Sequence, residues 1–121
     1  MARTNVPIVT MSRTGAATTT GTVADTTNDH VVDLAGIPLE EIVFRFTNTN
    51  GSDRVATIVA GDSPPALSSG QGNMDITVPA TSGNMTVAGL ESARFLQNDG
   101  TVLIDLAASY AGTVVAERVP R

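Results

Sequence analysis

Apolar and polar positions alternate in short bursts along this chain, and each burst ends in a cluster of Asn, Asp, Ser or Gly. The run Ile42-Val43-Phe44-Arg45-Phe46-Thr47-Asn48 is the clearest. In an extended segment Ile42, Phe44 and Phe46 fall on one face, and Val43, Arg45 and Thr47 on the other. Residues 102–106 repeat the pattern, with Val102, Ile104 and Leu106 on one side and Leu103 and Asp105 on the other. Residues 30–34, 55–60, 75–78, 85–90, 94–97 and 113–119 read as further strands, and Ala56 shares a face with Ile58. Pro38 suits the first position of a short helical turn over residues 38–41. No helical stripe of any length competes with the two-residue period.

The turn residues set the connections. Asn50-Gly51 predicts a positive-φ link from the strand at 42–48 to that at 55–60. Ser82-Gly83-Asn84 predicts a turn before residues 85–90, and Asn98-Asp99-Gly100 a hairpin joining 94–97 to 102–106. Residues 12–28, rich in Thr, Ala and Gly, and residues 61–73, with Pro64-Pro65 and Gly70-Gln71-Gly72, read as long loops. Residues 6–11 are apolar, but Pro7 lacks an amide donor, so they form an edge strand or an arm. The sum is an all-β fold of eight or nine strands, a small β-sandwich of jelly-roll-like or immunoglobulin-like type with an extended N-terminal arm. Residues 1–29 are the arm or edge strand plus loop, and residues 30–121 a single sandwich domain.

Composition narrows what such a domain does. At 121 residues there is room for one core, and that core is lean: its aromatics are Phe44, Phe46, Phe95 and Tyr110. With no Cys to staple it, burial against further copies is an expected source of stability. The formal net charge is −5, and the basic residues are all Arg (3, 13, 45, 54, 94, 118 and 121), dispersed along the chain. That balance argues against nucleic acid as a partner. No apolar run approaches the ~20 residues of a membrane span, so no membrane partner is expected. The first residues lack the apolar core of a secretory signal, so synthesis in a cytoplasm is expected.

Reactive side chains are scarce. Cys and Lys are absent and His30 is the sole histidine, with no strained nucleophile-elbow motif anywhere. His30 therefore reads as a histidine at a strand edge. Asp25, Asp29, His30 and Asp33 are the densest set of possible metal ligands, but their spacing matches no calcium loop, and Asx residues before a strand make turns. Gly70-Gln71-Gly72 is too short for a phosphate loop. No catalytic residue, cofactor or metal is expected. Tyr110 alone is a poor platform for a sugar.

Two stretches carry a likeness. One is Phe46-Thr47-Asn48-Thr49 followed by Ala60-Gly61-Asp62-Ser63-Pro64-Pro65-Ala66 and Gly70-Gln71-Gly72. The other is Gly89-Leu90-Glu91-Ser92-Ala93-Arg94-Phe95 through Gln97-Asn98-Asp99-Gly100. With the opening Met1-Ala2-Arg3-Thr4 and the closing Val119-Pro120, the chain resembles small structural proteins of tailed bacteriophages and prophages. The resemblance implies a virion component, foremost a head decoration or cement protein on the capsid exterior. Its implied partners are the major capsid protein lattice and further copies of itself, as a homotrimer. It also leaves room for a head–tail connector or tail role; a carbohydrate-binding, adhesin-like module is the alternative of another class. An N-terminal arm would add a strand to the lattice. Arg3, Val6, Ile8, Arg13 and Arg45 are the candidate partner contacts, with Val43 beside Arg45 facing either a partner or a second sheet.

Overall fold

The computed structural model describes residues 3–11, 21–61, 73–90, 92–97 and 99–119. Ten strands run through them: β1 (Thr4–Asn5), β2 (Ile8–Thr10), β3 (Thr22–Val23), β4 (His30–Asp33), β5 (Ile42–Asn48), β6 (Arg54–Ile58), β7 (Met74–Val78), β8 (Gly83–Val87), β9 (Thr101–Leu106) and β10 (Thr113–Arg118). They form two sheets packed face to face, a small β-sandwich. The first has the order β1-β4-β9-β6-β7; the second has the order β2-β10-β5-β8, with β3 also on β10. β6 and β7 are an antiparallel pair in one sheet, whereas β4–β5, β5–β6, β7–β8, β8–β9 and β9–β10 each cross from one sheet to the other. The core is closed by distant partners.

The two-residue period decides which side chains enter that core. Ile42, Phe44 and Phe46 of β5 are fully buried, as are Val102 and Ile104 of β9 and Ala56 and Ile58 of β6. The Phe44 and Phe46 rings lie 6.4 Å apart in a stacked arrangement. Val43, Arg45 and Thr47 lie on the outer face of the second sheet, not against the first. A 3-10 turn at Leu39–Glu41 follows Pro38 as the sequence implies, and it seals Leu39 into the core.

Four local expectations change. Gly51 does not take a positive φ, and β5 and β6 belong to different sheets, so Asn50-Gly51 is a crossing and not a hairpin. Residues 94–97 are not a strand. Ser92–Phe95 is a helical turn, which carries Phe95 into the core at 2 % exposure, and the Arg94 guanidinium lies 4.7 Å over the Phe95 ring. Gly100 does take a positive φ of 83°, and its turn closes through Gly100 N–H to Gln97 O and Gln97 N–H to Thr101 O. Gly83 and Asn84 already belong to β8, so the turn lies earlier, at residues 79–82. Finally, the described part of the N-terminal segment is sandwich. β1 pairs parallel with β4 at the edge of the first sheet, the chain crosses at Val6-Pro7, and β2 pairs parallel with β10 in the second. The sandwich therefore begins well before His30, and the edge-strand reading describes this segment. Residues 12–20 and 62–72 of the two predicted loops lie outside the described residues.

Candidate interaction surface

His30 is fully buried on the inner side of β4. Its Nε2 accepts from the Asp25 amide at 3.0 Å, and its Nδ1 lies 3.2 Å from the Thr4 carbonyl oxygen. An amide can only donate and a carbonyl can only accept, so the ring is neutral with its proton on Nδ1. Burial holds its pKa below the ordinary histidine value. The ring is fully buried and held on both nitrogens. It links β1 to the turn before β4.

The carboxylates around it are turn-makers, as their spacing suggests. Asp25 accepts from Thr4 Oγ1 at 2.6 Å and from the amides of Asn28 and Thr27. The Thr4 hydroxyl and then the Asn28 amide are the largest causes that draw its pKa down to about 2. Asp29 takes a left-handed φ of 61° and its Oδ1 accepts the Leu106 amide at 2.9 Å. Asp33 bonds the Ala35 amide in the next turn. Among the described residues no three His, Asp or Glu side chains group to hold a metal ion.

Asn48 and Tyr110, which the sequence did not single out as structural posts, close the other end. Asn48 is fully buried and donates from Nδ2 to Ser52 O and Val78 O, at 3.0 and 3.1 Å, while Oδ1 accepts the Asn50 amide. It ties the end of β5 to the end of β7 across the two sheets. Tyr110 is 4 % exposed and its hydroxyl donates to Thr47 O at 2.8 Å, with burial raising its pKa to about 12. Gly112 beneath it has φ 132°, and a Cβ there would overlap the Thr47 carbonyl oxygen.

The candidate contact residues divide. Arg3 bonds Asp105 at 2.6 Å and also donates to the carbonyls of His30 and Ile104, so it staples β4 and β9 within the chain. Val6 is corrected: at 1 % exposure, with its amide on Val31 O, it is core, because the crossing between the sheets turns its side chain inward. Ile8 packs against the core from its edge. Arg13 lies outside the described residues. Arg45 remains on the outer face of the second sheet, 3.1 Å from Glu117.

What is left for a partner is surface and edge. The outer face of the second sheet carries Val9, Val43, Arg45, Thr47, Thr86, Thr113, Val115 and Glu117 in register across its strands, with its charges balanced; Val115, opposite Arg45, is only 5 % exposed and has Gly21 packed against it, so the exposed part of this face lies around it. The outer face of the first sheet carries Val31, Leu103 and Val55 with Asp33, Asp75 and the Arg3–Asp105 pair, and so is the more acidic. Beside them β8 forms an edge that no other described strand pairs, and Asn84, Met85 and Thr86 are exposed. Pairing of this kind is tertiary information; no local motif announces it. Comparison with protein-family models, with curated proteins and with solved structures gives no match to this chain.

Proposed function

We propose that this chain is a non-enzymatic virion protein of a tailed bacteriophage or prophage, and specifically a decoration protein that binds the outside of the head. One observation carries the non-enzymatic half. The histidine and the Asp25, Asp29 and Asp33 carboxylates that sequence logic offers for chemistry are each engaged in bonds that hold strands and turns together. The viral half rests on the resemblance in the sequence. The fold supports it with two preformed faces of unlike charge.

In this reading the charge-balanced outer face of the second sheet meets the capsid lattice, and the acidic face of the first sheet points to solvent, where it repels nucleic acid. A folded face makes the contact, since residues 3–11 are needed inside the sandwich and are not free to serve as an arm. Each contact is weak, and many copies on a repeating lattice act together. Burial of Tyr110 removes the single tyrosine from any sugar platform and disfavours a carbohydrate-binding module.

The test is copy number in virions purified from the strain that carries the coding sequence. Hundreds of copies per particle agree with decoration. A ring of about six to twelve copies means a connector, and absence from the particle overturns the viral reading altogether.

A further inference from the structure

Edge strands invite unwanted pairing, and proteins blunt them with short length, Pro, charge or cover. The edges of this sandwich use those devices, with one exception. β1, β2 and β3 are two or three residues long, and Pro7 interrupts the first two. β7 carries the exposed carboxylate of Asp75. β8 is five residues long, pairs on one side with β5 along its whole length, and among the described residues has no strand on the other. Residues 79–90 contain no charged side chain and, after Pro79, no proline.

We propose that β8 is a self-pairing edge that joins two copies of this chain antiparallel about a two-fold axis at Met85. The strand is complementary to itself in that register. Residues 84 and 86 stand opposite each other across the axis, so each exposed Asn84 meets a Thr86 on the outer face. Gly83, which has no side chain, stands opposite Val87. Met85 stands opposite its own copy. It lies beside Phe46 on the inner side of the sheet and is 36 % exposed, one of three large apolar side chains left so open among the described residues. The copied methionine covers it. β8 itself carries no charge, and Arg45, opposite Thr86 on the neighbouring strand, is paired with Glu117 at 3.1 Å. The product is a continuous sheet through both copies. A five-residue strand pair falls below the ~1,000 Å² of a stable interface, so association is weak and concentration-dependent. It needs no capsid, and is independent of the viral reading.

The chain has no cysteine, which makes the register directly readable. Directly opposed residues of an antiparallel pair have Cα atoms ~4.5–5.5 Å apart, within disulfide reach. In the full-length protein, Met85→Cys is expected to form a disulfide-linked dimer under mild oxidation at least about tenfold faster than Val23→Cys, an exposed control on β3. Sedimentation of the unmodified chain should give the mass of two copies as concentration rises, and Met85→Lys should return it to one while keeping its circular dichroism spectrum. Equal crosslinking rates at the two positions, a three-copy mass, or a single-copy mass up to about 1 mM overturns the proposal.

Discussion

The imidazole of His30 accepts a hydrogen bond from the amide of Asp25 at 3.0 Å, and this contact fixes both the tautomer of the ring and its charge. Protonation of Nε2 would set two donors against each other inside the sandwich. The unfolded chain binds that proton near pH 6.5 while the folded chain resists it, its pKa being lowered. The unfolded state is thus the better proton binder as pH falls, so stability is full above pH 6.5 and declines below it until the folded-state value is passed. Urea midpoints measured from pH 7.5 downward should fall through this window. His30→Gln should flatten that decline; an unchanged slope would show that another group is responsible.

Asn48 holds both sheets through its side-chain amide. Asn48→Ala leaves the Val78 carbonyl in the interior without its donor. A loss of about 2–3 kcal/mol in unfolding free energy is expected. Chemical denaturation reads it directly, and a loss below about 0.5 kcal/mol, the scale of a surface change, would mean that the two ends are held by something else.

Tyr110 gives the opposite limb of the pH profile. Unfolded, the phenol ionises near pH 10, and folded near 12, so stability is lost as pH rises between those values. Tyr110→Phe should remove that alkaline decline at a cost of about 1 kcal/mol at neutral pH, the net worth of its bond to the Thr47 carbonyl. Thermal unfolding at neutral and alkaline pH compares the two proteins.

Val6 separates an arm from a wall of the sandwich. Its side chain is in the core, so Val6→Ala should destabilise the isolated chain by about 1–2 kcal/mol. A free arm would show no change in melting temperature.

Several parts of this fold are legible in the sequence. The alternation in Ile42–Asn48 and Thr101–Leu106 marks which residues are buried, because a central strand with one face on the core has a two-residue period to display. Ser92–Phe95 misleads for the same reason. Four residues are too few to display a helical period, and Phe95 enters the core from a turn. Sheet membership is likewise hidden. Asn50-Gly51 looks like a hairpin from local chemistry, but the burial of Phe46 and Ile58 from opposite sheets sends the chain across. The engagement of Arg3 depends on Asp105, far along the chain, and the openness of β8 depends on which strands do not pair with it.

The proposed role is the coating of a particle by many copies of this chain. Electron cryomicroscopy of heads purified with and without its gene measures that directly. Difference density is predicted on the outer surface at every equivalent lattice position, fitting the two-layered sandwich with its second sheet toward the capsid. Heads that superimpose without difference density, or density confined to the portal or tail, would contradict it.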